Sequence, residues 1–442
     1  MAKKKGTPAS PFVPEEEQPY PIPENWRWVK FSSVIELISG RDAALTDCNS
    51  EGIGIPYILG ASNIENNTFT IERWIETPQV ISNKGDILLS VKGTIGKLYI
   101  QQEEKVNISR QIMAIRPTEI LNRKFAYLFL LLVCDELREA GNGLIPGISR
   151  ADILDKAFPF MPLPEQHRIV TRIESLFAKL DEAKEKARAV VDGFELRKSA
   201  IMHKAFTGEL TEQWRKEHGA GLESWAKVEL IDVLTEKPRN GYSPKPVNYV
   251  TPYKSMTLSA TTSGVFKDEY FKYIDETIPE DSYLWLKPGD ILIQRANSLD
   301  KVGTSAIYTG REHEFIYPDL MMKLQVKKTV SPRFIAYSLK KDDILEYFRA
   351  NATGTAGNMP KINQKTVSNT PIDLPTFDEQ IEIVRILESL FGKAQQAKEA
   401  AEAVLAQIDA MKKAILARAF RGELGTNDPE EESMGELLRA IL

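Results

Sequence analysis

The sequence predicts an α+β protein in which two pseudo-symmetric, mixed α/β domains are separated by an antiparallel two-helix coiled coil. Three observations predict this fold. A long stretch of sequence occurs twice with the same internal spacing, and each copy carries a heptad pattern of apolar residues. Each copy is also preceded by a region that combines short strands with one or two helices, which is typical of a small α+β domain.

The repeat is recognised by three short motifs. Glu165-Gln166 recurs as Glu379-Gln380, residues 174–177 (ESLF) recur as residues 388–391, and residues 205–210 (AFTGEL) recur as residues 419–424 (AFRGEL). Fainter similarities upstream relate Trp26 to Trp225 and residues 84–89 to residues 288–293. The intervening regions differ, so the sequence indicates two copies of one scaffold that carry two different recognition surfaces.

Each copy of the repeat is predicted to form a long helix of about 40 residues, or about 60 Å. The first apolar seam comprises Ile169, Ile173, Leu176, Leu180, Ala183, Ala187, Val190 and Phe194. The second comprises Ile383, Leu387, Leu390, Ala394, Ala397, Ala401, Val404, Ile408, Met411 and Ile415. Alternating steps of four and three predict a coiled coil. Because both helices belong to one chain, they are expected to pair in an antiparallel manner, with two unrelated amphipathic helices as the alternative.

Proline and glycine residues mark the expected ends of the long helices. Pro164 and Pro375 are expected near the helix starts, and Gly208 and Gly422 at the helix ends. The predicted segments are a disordered leader (1–20), a first variable domain (21–161), a central helix (162–211), a second variable domain (212–373), a C-terminal helix (374–425) and an acidic linker with a short terminal helix (426–442). Within the variable domains we expect strands at 87–91, 96–100, 256–258, 290–294 and 322–326, and helices at 123–139 and 333–349.

Composition and motifs argue against an enzyme. The 442 residues carry a net charge of −5, and the two cysteines, Cys48 and Cys134, suit a reduced, cytoplasmic setting. The longest apolar run, near residues 125–134, is too short to cross a membrane. Four scattered histidines match no metal motif, and Gly93–Lys97 lacks the spacing of a phosphate-binding loop, so a hairpin is the better interpretation. We therefore expect no catalytic site, metal or cofactor on this chain.

The repeated motifs closely resemble the conserved regions of the specificity subunit of type I restriction–modification enzymes. The resemblance rests on residues 163–170 (LPEQHRIV) with 205–211 (AFTGELT) and on their second copies, and it covers the chain from about residue 21 to residue 424. The second copy departs by an insertion between Leu374-Pro375 and Glu379-Gln380, which we expect to shift the start of that helix.

The resemblance implies a function and a set of partners. Each variable region would be a target recognition domain that reads one half of a bipartite, asymmetric site in double-stranded DNA. The coiled coil would set the unread spacer and dock two methyltransferase subunits, which bind S-adenosylmethionine and methylate adenine. Two restriction/translocase subunits, which use ATP and Mg²⁺, would complete the complex.

Loop residues with hydrogen-bonding side chains are the candidate DNA contacts. In the first domain these are Arg41, Lys92, Thr94, Lys97 and Arg110; in the second they are Arg239, Asn240, Tyr242, Lys245, Arg295, Asn297 and Ser298. Arginine suits guanine and asparagine suits adenine. For each residue, an ordinary solvated position is the alternative interpretation.

Four aromatic residues that recur off the heptad seam are candidates for subunit binding: Phe177, Phe206, Phe391 and Phe420. Packing of these rings against their own recognition domain is the alternative. At the level of the whole chain, the competing functions are a coiled-coil scaffold that binds only proteins and, less consistent with the missing metal motif, a fused nuclease.

Overall fold

Each variable region is built around a four-stranded antiparallel sheet whose central strand is buried on both faces. A computed structural model of the chain describes residues 10–65, 68–141, 146–354, 359–431 and 434. The chain divides into two units, one comprising Met1–Arg188 with Glu402–Leu442 and the other comprising Ala189–Ala401. Each unit therefore contains one variable region together with parts of the long helices.

The first unit contains the elements up to the middle of the central repeat. Its strands are β1 (Arg27–Lys30), β2 (Ile35–Ser39), β3 (Cys48–Asn49), β4 (Ile55–Ile58), β5 (Ile64–Glu65), β6 (Thr68–Phe69), β7 (Trp74–Ile75), β8 (Ile81–Asn83), β9 (Ile87–Ser90), β10 (Leu98–Ile100), β11 (Lys105–Ile108), β12 (Ile112–Pro117) and β13 (Ala157–Phe160). Its helices are α1 (Arg123–Glu139), α2 (Arg150–Leu154) and most of α3 (Leu163–Asp192).

The second unit repeats this plan. Its helices are α4 (Phe194–Phe206), α5 (Glu212–Glu217), α6 (Leu230–Val233), α7 (Pro332–Ser338), α8 (Asp342–Ala350), α9 (Gln364–Ser368) and the first part of α10 (Phe377–Phe420). Its strands are β14 (Ala226–Glu229), β15 (Arg239–Asn240), β16 (Pro246–Val247), β17 (Tyr253–Met256), β18 (Phe271–Ile274), β19 (Ile291–Gln294), β20 (Ser305–Ile307), β21 (Phe315–Ile316), β22 (Met321–Leu324) and β23 (Pro371–Leu374).

The two regions share one sheet topology. The strand order β2-β12-β9-β10 in the first region corresponds to β15-β22-β19-β20 in the second, and every pair in these sheets is antiparallel. A second, mixed sheet contains the parallel pair β4–β11 in the first region and β17–β21 in the second. In each region the first and last strands pair in a two-stranded antiparallel ribbon, β1–β13 in the first region and β14–β23 in the second. The predicted α+β fold with two pseudo-symmetric domains is confirmed.

The central strands separate two apolar cores in each region. Ile87 and Leu89 of β9 pack into the core that contains Phe125 of α1, whereas Leu88 faces the core that contains Ile58 of the second sheet. Alternation with a period of two places successive side chains on opposite faces. The strand β19 repeats this alternation, so each region has three layers: helices, sheet and sheet.

The long helices pair in an antiparallel manner within each unit, as predicted. In the first unit, Asp181 of α3 pairs with Lys412 of α10 at 2.5 Å, and the Nζ of the same lysine lies 5.1 Å from the ring centroid of Phe177. In the second unit, the Nζ of Lys398 lies 4.8 Å from the Phe194 ring centroid, and the Nζ of Lys198 lies 5.9 Å from the Phe391 ring centroid. Residue numbers therefore rise along one helix as they fall along the other. The three ammonium groups thus lie over aromatic rings at the distance of a cation–π interaction.

The first predicted seam is confirmed, and the second is correct only in part. All eight seam residues of the first copy are buried or half-buried. In the second copy Ala397, Val404 and Met411 are exposed, and Lys398, Leu405 and Lys412 occupy the half-buried positions. In a straight helix, a heptad seam rotates about the helix axis by about 20° per heptad. Between residues 383 and 415 this rotation reaches about 90°, which is close to the roughly 100° that separates neighbouring residues, so a neighbouring residue can take the place of a seam residue. In the first copy the seam within α3 ends at Val190, three heptads after Ile169, so the drift reaches only about 60°.

The repeated motifs build the junction between each long helix and its unit. Gln166 accepts a hydrogen bond from the backbone N of Asn122, the N-cap of α1, at 2.7 Å, and Gln380 accepts one from the N of Ser331, the N-cap of α7, at 2.9 Å. The Ala-Phe pair of each motif is buried in a core with the start of the other copy's helix. Gly208 and Gly422 both have positive φ at the helix ends, as predicted.

Several local expectations need correction. The predicted helix 333–349 is two helices, α7 and α8. Residues 10–20, assigned to a disordered leader, lie against β1, where the N of Val13 donates to the O of Trp28 at 3.1 Å and Val13 is buried. Residues 1–9 and the predicted terminal helix at 437–442 lie outside the described residues. The helix α10 begins at Phe377, three residues before Gln380, just as α3 begins at Leu163, three residues before Gln166, so the expected shift of the helix start relative to the Glu-Gln motif is wrong.

Candidate nucleic-acid interface

The first sheet brings three loops to one of its ends. The strand β9 ends at Ser90, where its antiparallel neighbour β12 begins at Ile112, and β2 ends beside them at Ser39. We call residues 40–42, 91–97 and 109–111 the first loop edge. Its loops come from distant parts of the sequence, so only the strand pairing places them together.

Backbone hydrogen bonds fix the first loop edge. The N of Arg41 donates to the O of Ile108 at 3.0 Å, and the N of Val91 donates to the O of Gln111 at 2.8 Å. A Cβ at Gly40 would lie 2.1 Å from the O of Ser109, so the first loop can approach this closely only because that residue is glycine.

All five candidate residues of the first domain lie on this edge. Arg41, Lys92 and Lys97 form no ion pair among the described residues, whereas the Nε of Arg110 pairs with Asp42 at 2.7 Å. Thr94 is exposed at the tip of the β9–β10 hairpin, and its carbonyl accepts a hydrogen bond from the Oγ of Ser90. Glycine-lysine residues 93–97 thus form a hairpin, as predicted, and contribute cations without local counterions.

The second sheet forms an equivalent edge. The strand β15 ends at Asn240, β22 begins at Met321 and β19 ends at Gln294 on the same side of the sheet. We call residues 241–245, 295–304 and 318–320 the second loop edge. The N of Tyr242 donates to the O of Tyr317 at 2.9 Å and the N of Arg295 to the O of Leu320 at 2.9 Å, which repeats the bonding of the first edge.

Two candidates, Arg295 on the second edge and Asn240 at the adjoining end of β15, carry buried polar atoms without a hydrogen-bond partner among the described residues. These atoms are the Nε of Arg295 and the Oδ1 of Asn240. An unsatisfied buried polar atom costs about 1–3 kcal/mol, so such atoms are retained chiefly where a ligand or water completes them. Arg295 also lacks an acidic partner among the described residues, which leaves its charge available for an anionic ligand.

The remaining candidates of the second domain differ in availability. Asn297 donates to the Oε1 of Gln294 at 2.6 Å, and Ser298 and Lys245 are exposed on the edge. Tyr242 donates to Glu276 at 3.0 Å, and this hydrogen bond raises the pKa of its hydroxyl. Arg239 lies on β15 rather than on the edge, where it pairs with Glu236 at 2.6 Å and covers the Tyr283 ring. It is therefore the member of the set with the least freedom to bind DNA.

Equivalent positions on the two edges carry different side chains. The matching hydrogen bonds equate Arg41 with Tyr242, Val91 with Arg295, and Arg110 with Asp319. Sequence analysis missed Asp319, because its counterpart becomes visible only through the strand register. One repeated backbone thus presents two chemically distinct loop edges, which defines a protein with two different recognition surfaces.

The proposed aromatic partner surface needs correction. The ring of Phe420 is fully buried, 4.7 Å from the Phe125 ring centroid, and Phe206 is buried against Phe334 at 5.4 Å. Their burial contradicts the expectation of an exposed surface, and packing against the recognition domain is the correct interpretation for these two. Phe177 and Phe391 are half-buried at the margins of the two cores.

Among the described residues, His, Cys, Asp and Glu side chains form no group of three able to hold a metal ion. A search of the same part of the chain for helices long and apolar enough to cross a membrane finds none.

Comparison with known proteins gives the family. The family model described as "Type I restriction modification DNA specificity domain" matches residues 23–190 and 223–404. The chain belongs to this family of type I restriction–modification specificity subunits.

Individual relatives agree with the family assignment. The EcoKI specificity subunit of Escherichia coli K12 is 25% identical over 428 residues, which cover 91% of this chain and 90% of that protein. The StySPI specificity subunit of Salmonella potsdam is 24% identical over 429 residues, with 91% and 90% covered. The crystal structure of the HsdS subunit from Thermoanaerobacter tengcongensis shares the fold, with a TM-score of 0.67 and 19% identity over 92% of this chain and 99% of that one.

Proposed function

We propose that this chain gives a type I restriction–modification complex its DNA sequence specificity. Each loop edge reads one half of a bipartite site in double-stranded DNA. The observation that carries the proposal is the pair of equivalent loop edges, whose backbones match while their side chains differ. Two such edges on one chain suit an asymmetric site, because the same backbone geometry meets two different base sequences.

The unpaired cations on each edge are proposed to hold the phosphates. Lysines and arginines that neutralise phosphates release counterions, so each contact contributes to a linear fall of log affinity with log salt concentration. Lys92, Lys97 and Lys245 suit this role, because they are point charges without local ion pairs among the described residues. Arg295 and Asn240 suit base reading, because both side chains are half-buried and carry the guanidinium and amide groups that pair with base edges.

Selection of duplexes from a random-sequence library tests the proposal. The full-length chain with its methyltransferase partner should select a bipartite sequence with a fixed unread spacer. Arg295→Ala should relax the preference at one position at a cost of about 1–3 kcal/mol, whereas Lys245→Ala should weaken all sequences alike and lower the salt slope by about one. Selection of no sequence by the wild-type complex would favour the protein-only scaffold instead.

The long helices are proposed to set the spacer. Removal of one heptad from each helix shortens it by about 10 Å, the rise of about three base pairs. The selected half-sites should then remain unchanged while the spacer loses about three base pairs. Altered half-sites with an unchanged spacer would contradict this role of the helices.

The helices are also proposed to dock two methyltransferase subunits, which supply S-adenosylmethionine and methylate adenine in the cytoplasm. Two restriction/translocase subunits with ATP and Mg²⁺ would join this core, and the chain itself would have no catalytic role. The exposed apolar side chains Val404 and Met411 on α10 support a helix docking site. The double variant Val404→Glu/Met411→Glu should lose co-purification of the methyltransferase, whereas Ala406→Glu, at an exposed position about 160° around the helix from Val404, should retain it.

A further inference from the structure

Position 110 of the first loop edge and position 319 of the second are the same structural position with opposite charge. The N of Arg110 donates to the Oδ1 of Asp42 at 3.1 Å, and the N of Asp319 donates to the Oγ of Ser243 at 3.1 Å. Each residue lies on the loop that leads into the four-stranded sheet, two positions before the strand that begins at Ile112 or Met321. Both are exposed.

We propose that this position is a specificity determinant, at which Arg110 selects guanine and Asp319 selects cytosine. The inference rests on the proposed function, because it assumes that both loop edges face the major groove. Arginine donates two hydrogen bonds to the O6 and N7 of guanine. A carboxylate only accepts, and cytosine is the base that presents a donor without an acceptor at its major-groove edge.

Electrostatics explain why an acidic residue at this place is informative. DNA carries one negative charge per about 1.7 Å of its axis, so an exposed carboxylate on a DNA-facing edge is repelled by the phosphates. Such a carboxylate is compatible with binding when a base amino group donates to it. Asp319 forms no salt bridge among the described residues, so no local cation offsets this repulsion.

The two residues also connect neighbouring loops, and this structural role must be separated from base reading. The Nε of Arg110 pairs with the Oδ2 of Asp42, and Asp319 accepts a hydrogen bond from the Oγ of Ser243. Asp319→Asn retains an acceptor for Ser243 but replaces one carboxylate oxygen by an amino donor. Ser243→Ala retains the carboxylate but removes the hydroxyl that joins the loops.

The test is selection of duplexes from a random-sequence library by the full-length chain with its methyltransferase partner. Asp319→Asn should lower the preference for cytosine at one position of one half-site by at least about tenfold, and Asp319→Arg should replace that cytosine by guanine. Asp281→Asn, which alters an exposed carboxylate outside the second edge, should change nothing. Ser243→Ala should weaken binding to all sequences without changing the selected base.

The outcomes separate this inference from the proposed function. If the wild-type complex selects no sequence, the proposed function fails. If the wild type selects a bipartite site and the Asp319 variants select the same bases, the base-reading role of this position is refuted. A uniform loss of affinity in the Asp319 variants, or an equal change of base in Ser243→Ala, would also refute it, because either result assigns Asp319 to loop structure.

Discussion

Removal of the buried carboxylate of Glu379 should destabilise the second unit far more than removal of its counterpart Glu165 destabilises the first. The Oε1 of Glu379 accepts hydrogen bonds from Thr211 at 2.7 Å and from Arg215 at 2.6 Å, and its Oε2 accepts one from Trp225 at 2.9 Å. The side chains of Glu379 and Arg215 are 0% and 5% exposed. Glu379→Ala therefore leaves a buried, unpaired guanidinium, at a cost of about 3–5 kcal/mol.

In the first unit, the arginine that pairs with Glu165 also binds a second carboxylate. Glu165 accepts hydrogen bonds from Thr426 at 2.8 Å and from Arg168 at 2.6 Å, but Arg168 also binds both carboxylate oxygens of Glu431, at 2.8 and 2.9 Å. The Arg168 side chain is 38% exposed, so water solvates part of its charge. Glu165→Ala should therefore cost about 1–2 kcal/mol, the value of the lost hydrogen bonds.

Amide hydrogen exchange measures both effects in the full-length chain, because it reports local free energies of opening. Peptides from the buried strand β19 report on the second unit and peptides from β9 on the first, so each variant contains its own control. An equal loss of opening free energy in the two variants, or a larger loss for Glu165→Ala, would refute the argument that burial and the number of carboxylate partners decide the cost.

Three further variants test packing, loop geometry and charge burial. Phe420→Ala should lower the free energy of unfolding of the first unit by about 3–5 kcal/mol, and a loss below about 1 kcal/mol in urea unfolding would contradict its burial. Gly241→Ala should reduce sequence-specific DNA binding, because its Cβ would lie 2.2 Å from the O of Tyr317, whereas Gly392→Ala, which meets no atom within 4 Å, should not. Burial and the nearby Lys198 lower the pKa of Lys340 to about 8. As the pH rises, the folded chain therefore loses this proton at a lower pH than the unfolded chain does. The free energy of unfolding of the second unit should consequently rise between pH 8 and pH 9. Lys340→Met should reduce that rise in free energies of unfolding measured at pH 7 and pH 9.

The sequence predicts those parts of the fold that depend on local periodicity. The helix expected at 123–139 is α1, and the first seam is buried or half-buried along its whole length. Strands expected at 290–294 and 322–326 correspond to β19 and β22 within one or two residues. These elements are predictable because apolar spacing alone decides which face is buried.

Features that depend on tertiary packing escape such prediction. The second seam shifts along the 44-residue helix α10, and the heptad pattern alone does not show over what length a helix remains straight. Phe206 and Phe420 lie off the seam, and sequence alone does not distinguish a buried domain contact from an exposed partner surface. Each ring is buried in a core whose residues come from distant parts of the sequence of its unit.

At the candidate interface, too, sequence predicts local features but not those that depend on strand pairing. Sequence analysis found the loops of the first edge from their cations and glycines, but it could not align Arg110 with Asp319. That equivalence requires the register of three strands, because each loop follows a different strand of a non-local sheet. Arg239 was chosen from loop chemistry alone, and its ion pair with Glu236 became visible only in the folded chain.

The arrangement of motifs also explains why the two copies of the helix remain alike while the loop edges differ. Within each unit, the Glu-Gln motif of one copy begins the helix that packs on the Ala-Phe motif of the other copy. A substitution in either motif therefore needs a compensating change in the partner motif, since buried volume and buried hydrogen bonds must both be retained. An edge residue such as Arg110 or Asp319 is exposed and has only a local partner, so its side chain can change without disturbing a core. Different constraints on the two parts of one unit thus account for a common scaffold that carries two unlike recognition surfaces.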